Sequence, residues 1–134
     1  MTYDDAGWHY DTVGEHGLDY SCAATHIGMF FAWLAHHGFV DTNTVDTTSL
    51  VDRSVTPGSF LTRYCCGEID ACMLTAAGAS FCEAAYRPYL RMYDMIPEIA
   101  RYSVSYEAPD TWETYDAVAS VIDEAYAEYA ALHR

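Results

Sequence analysis

The segment SCAATHIGMFFAWLAHHG, residues 21–38, is apolar almost all the way round and carries three histidines. A helix without a polar face must be buried, in lipid or in protein, so the rest of the chain has to fold around it. Length decides between the two. A bilayer span takes about 20 predominantly apolar residues at about 1.5 Å rise each. This helix begins after Ser21, a suitable N-cap, and stops by Gly38, the residue type that most often follows a helix end. It is too short to span, and His26 sits in its middle. No export signal is expected either, because Asp4, Asp5, Asp11, Glu15 and Asp19 precede the segment in place of a basic region. The segment is therefore expected to be the buried spine of a small cytoplasmic domain with no membrane contact.

The remaining pattern is mainly α. Residues 1–134 are expected to form a single domain: a compact helical bundle around a buried central helix, with an irregular N-terminal arm and at most a short strand or hairpin. The arm, MTYDDAGWHYDTVGEHGLDY, lacks a helical period and predicts a short strand near Trp8 to Tyr10. A short helix is expected around residues 48–53. Thr56 and Pro57 read as the N-cap and first residue of a helix that Gly67 ends. A turn of helix follows over residues 68–73, and Thr75 caps a longer one that Pro88 should kink or restart. SVSYEA, residues 103–108, has the look of a strand. In the last helix Asp110 and Glu113 make an acidic capping box, and Trp112, Tyr115, Ala119, Ile122, Tyr126 and Tyr129 fall on one stripe.

Charge narrows the partners. Twenty acids face six arginines, with no lysine, for a net charge of −14. Such a chain repels nucleic-acid phosphates and anionic lipid and attracts a basic protein. Residues 102–133 hold seven acids and no Lys or Arg. Glu113, Asp116, Glu124 and Glu128, edged by Tyr115, Tyr126 and Tyr129, are the expected partner-binding face.

Chemistry is harder to find. The five cysteines include no C-x-x-C pair, so reduced thiols rather than a zinc site are expected. The histidines show no H-E-x-x-H spacing, and there is no G-x-S-x-G or phosphate loop. No cofactor, metal or catalytic residue is expected. The best cluster is Asp4, Asp5, His9 and His26, brought together if the arm folds back over the first helix. In that arrangement Asp5 and His9 are expected to satisfy each other and pin the arm. The rival reading is a small metal-dependent or acid–base enzyme using Asp5, His9 and His26.

DDAGWHY followed by AATHIGMFFAW resembles an uncharacterised bacterial family of small acidic proteins. The resemblance rests on Asp4, Asp5, Trp8, His9, Tyr10, the Ala23 to Phe30 run with His26, and Trp33. It extends more weakly through FCEAAYRPYLRMYDMI and DTWETYDAVASVIDEAY. Such proteins look like the immunity proteins encoded beside polymorphic toxins. The resemblance implies a cytoplasmic protein, a monomer or weak homodimer, that binds a cognate toxin domain, with its motif residues mainly structural: His26 and Trp33 meeting the Trp8–His9 arm. An acidic interaction module without a toxin partner is the third alternative.

Overall fold

A computed structural model describes residues 1–133. The order of elements is β1 (Thr2–Asp5), a 3-10 turn (Ala6–His9), α1 (Tyr10–Glu15), a 3-10 turn (Tyr20–Ala24), α2 (Thr25–His36), α3 (Thr48–Val51) and α4 (Pro57–Tyr64). There follow β2 (Glu68–Asp70), a 3-10 turn (Ala71–Met73), α5 (Ala76–Tyr93), α6 (Pro97–Ala100), a 3-10 turn (Ser105–Glu107) and α7 (Trp112–Leu132). The fold is mainly α. No helix among the described residues is long and apolar enough to cross a membrane.

The apolar segment is buried in protein. Every residue of α2 from Thr25 to Ala35 is buried, and Trp33, Phe30 and Phe31 are among the largest fully covered side chains. α2 packs against α4 and α7, and α5 packs on α7. The α2–α4 approach depends on Gly28, where a Cβ would lie 2.5 Å from the carbonyl oxygen of Pro57. Gly38 ends the segment at a φ of 74°, in the left-handed region.

Several local expectations give way. The arm holds a strand at its start, and Trp8 to Tyr10 are helical rather than extended. β1 pairs antiparallel with β2, which occupies part of the stretch expected to be a helical turn. Residues 103–108 form no strand among the described residues but carry a 3-10 turn instead. α5 continues through Pro88, so the helix does not restart there. Pro88 and Ala84 both lie on the exposed side, so water can meet the Ala84 carbonyl that the proline leaves without a donor.

Asp110 does not cap the last helix. Its carboxylate accepts from the Gly58 and Ser59 amides at 2.7 and 3.1 Å, and from the Thr56 hydroxyl at 2.7 Å, so it caps α4 from afar. Thr111 caps α7 through the Thr114 amide.

Candidate functional site

The arm's strand and the first turn of α2 bring one carboxylate and two imidazoles together. β1 and β2 pair with a register shift between Thr2 and Asp4, so Asp4 lies opposite the buried Ile69 and is itself only 2 % exposed. A bulge of this kind re-aims a side chain across the sheet. The 3-10 turn that follows returns His9 onto Asp4, with His9 Nε2 2.7 Å from Asp4 Oδ1. His26 Nε2 lies 3.5 Å from the other oxygen, Oδ2. The His9 and His26 rings meet edge to face with centroids 4.6 Å apart.

Tyrosines complete the surroundings. Tyr86 donates its hydroxyl to Asp4 Oδ2 at 2.6 Å, and Tyr89 donates to the His26 carbonyl at 2.6 Å. Both come from α5, as does Tyr93, whose ring is 5.9 Å from that of His26. From the far side Tyr106 reaches His9 Nδ1 at 2.6 Å. With Asp4 ionised, the network requires the proton of neutral His9 on Nε2, which donates to the carboxylate while Nδ1 accepts from Tyr106.

The electrostatics follow from burial and donors. Burial by itself would raise the Asp4 carboxyl, but hydrogen bonds from His26, His9 and Tyr86 hold it well below the usual carboxylate range. Burial also lowers His26, which is therefore neutral near pH 7. Two buried polar atoms here have no hydrogen-bond partner, His26 Nδ1 and the Tyr93 hydroxyl. Both side chains border a hollow of about 310 Å³ that His9, Asp94, Ser105 and Tyr106 also line.

Asp5, expected to pair with His9, does not. Its side chain accepts from the Gly7 amide at 2.8 Å and caps the turn, so Asp4 takes the role given to its neighbour. Trp8 is 63 % exposed, so it does not pack on the first helix. Trp33 is buried away from the arm: its indole N–H donates to Asp123 at 2.8 Å and its ring stacks on His37 at 3.9 Å. On α7, Glu113, Glu124 and Glu128 are exposed. Asp116 is exposed too, but paired with Arg53 at 2.9 Å. Tyr115 is buried and cannot edge a surface; Tyr126 and Tyr129 are half-buried and turn toward Phe81.

The sequence reading missed Tyr86, Tyr89, Tyr93 and Tyr106. The first three recur at spacings of three and four, the signal of one helix face, yet nothing in the pattern tells a packing tyrosine from one that meets a buried carboxylate. The cysteines are all unpaired. Burial pushes the Cys65 thiol up to about 12, while Cys66 and Cys72 are exposed.

A family model described as a domain of unknown function (DUF7832) matches residues 2–108. That span contains every residue of the Asp4 cluster and ends before α7. No curated protein and no solved structure matches the chain.

Proposed function

The chain belongs to the DUF7832 family, a domain of unknown function, and we propose that it is an immunity protein, which neutralises a cognate toxin domain by stoichiometric binding and occlusion. The observation that carries the reading is the set of exposed aromatic side chains on an acidic arm. Trp8, Tyr10 and Tyr20 are 63 %, 42 % and 60 % exposed, and the Tyr10 and Tyr20 rings lie 5.0 Å apart. Asp11, Glu15 and Asp19 beside them are exposed as well. Tryptophan and tyrosine are the residues that most often dominate binding energy at protein interfaces. An ordered surface that leaves them in solvent suits a partner that covers them.

The partner is basic. A net charge of −14 speeds its encounter and disfavours nucleic acid and anionic membranes. Glu113, Glu124 and Glu128 on α7 contribute to steering, while the arm supplies the contact. Asp116 is held by Arg53 and contributes less.

The test is co-expression with the toxin domain encoded beside its gene. Survival of the cells and a one-to-one complex are expected; toxicity undiminished, with no complex formed, rejects the reading. Within such a complex Trp8→Ala should weaken affinity at least about 30-fold, the cost of a hot-spot residue. Charge reversal at Glu113, Glu124 and Glu128 should instead slow association and flatten its salt dependence.

A further inference from the structure

We propose that Asp4, His9 and His26 bind a divalent first-row transition-metal ion of the zinc class, with an open coordination position toward the hollow beside them. The inference is independent of the immunity reading. Each of the three residues offers one donor atom, and these atoms lie within 4.8 Å of one another. A tetrahedral ion with bonds of about 2.1 Å keeps its donors roughly 3.4 Å apart. His9 Nε2 lies 2.7 Å from Asp4 Oδ1 and His26 Nε2 3.5 Å from Asp4 Oδ2, so the carboxylate must turn to present one oxygen between the two imidazoles as the ion enters.

The supporting shell is present at His9 and Asp4. Metal-bound imidazoles donate their second N–H to an oxygen, and metal-bound carboxylates are themselves hydrogen-bonded. Tyr106 stands 2.6 Å from His9 Nδ1, and Tyr86 donates to Asp4 Oδ2 at 2.6 Å. On metal binding the His9 proton moves from Nε2 to Nδ1. The imidazole stays neutral, Nε2 faces the ion, and Nδ1 becomes the donor to the Tyr106 oxygen.

A second observation points to a ligand. His26 is 5 % exposed, its Nδ1 has no partner, and its Nε2 lies 3.5 Å from the nearest carboxylate oxygen. Burying an imidazole with one nitrogen unpartnered is costly, and buried polar groups in folded proteins nearly always have a partner. An ion on Nε2 would give that nitrogen a close partner and leave the proton on Nδ1, whose acceptor would have to come from the hollow. The open position faces the hollow, where the Asp94 side chain adds negative charge. Two imidazoles and a carboxylate suit zinc, cobalt(II) or iron(II) rather than magnesium or calcium.

The experiment uses the full chain stripped with a chelator and then titrated with zinc or cobalt(II). One ion per chain is expected, with cobalt absorption typical of nitrogen and oxygen donors. In spectra of histidine-labelled protein, the signals of His9 and His26 should move while those of His16, His36, His37 and His133 stay. His26→Gln, checked for folding by circular dichroism, should abolish saturable binding. Tyr106→Phe should weaken it about tenfold. A Cys66→Ser, Cys72→Ser double variant should bind as the parent does. No saturable uptake, thiolate charge-transfer bands, or shifts confined to the other histidines would each overturn the proposal, and the wild-type spectra decide it even if His26→Gln does not fold.

Discussion

Asp4 is the residue on which the arm depends. Its two oxygens receive His9, Tyr86 and the Asp5 amide within 2.8 Å, and His26 stands beside them. Removing the carboxylate strands several buried donors at once, so Asp4→Ala should destabilise by about 3–5 kcal/mol in urea unfolding. Trp8→Ala, at an exposed site, should cost under about 0.5 kcal/mol. The pH response has a definite sign. Burial holds His26 below its ordinary 6.5, so the unfolded chain takes up a proton that the folded one refuses. Stability is therefore full above about pH 6.5 and falls as the pH drops below it. Asp4 adds a further loss below its ordinary 3.8. His36 is lowered by burial as well and contributes in the same window. Denaturant midpoints from pH 8 to 5, with chelator present, should fall less steeply for His26→Gln and for His36→Gln than for the wild type. The sequence placed the right residue types together but chose between adjacent acids wrongly. In a strand one step of register exchanges inside for outside, and the bulge between Thr2 and Asp4 that sets this step exists only against a pairing strand more than sixty residues away.

At the scale of elements, caps and crossings are the sensitive points. Asp110 joins the start of α7 to the start of α4, so Asp110→Ala should cost about 1–2 kcal/mol, at the upper end for a cap. Thr111→Ala, which removes the cap of α7 itself, should cost about 1 kcal/mol. Gly28→Ala drives a methyl group into the Pro57 backbone, which cannot yield without separating α4 from α2. A loss of about 3 kcal/mol is expected in thermal or urea unfolding. The longer helices were legible because their signals are local: Gly38 past α2, Thr56 and Pro57 at α4, Thr75 at α5, a regular stripe in α7; α1, in the arm expected to be irregular, was not. The strands were not. Glu68–Asp70 is too short to show alternation, and it is a strand only because Thr2–Asp5 lies beside it. Residues 103–108 have strand composition but pair with nothing among the described residues, so the chain turns instead.

The whole molecule carries its charge as self-repulsion. At −14, like charges oppose the compact state, and salt relieves them. Raising ionic strength from about 0.01 M to about 1 M shortens the screening length from about 30 Å to 3 Å. The unfolding midpoint should rise over that range, and a fall would mean that attractive pairs such as Arg53 with Asp116 dominate. Charge and mainly helical character could be read from composition and period, whereas the Asp4 cluster needed contacts between distant parts of the chain. That wiring also has a consequence for biosynthesis. His9 and Tyr106 are separated by 97 positions, and β1 has no pairing partner until β2 has been made. At about 5–20 residues per second, the interval between making the two is roughly 5–20 s. Once Thr25–His36 has been made, the nascent chain carries the apolar α2 for the rest of it without its full cover. A ribosome-bound chain halted before Tyr106 leaves His9 without its hydroxyl partner, and one halted before Glu68 leaves the arm undocked. The cluster thus forms only once Tyr106 has been made, while α2 still waits for α7 to cover it.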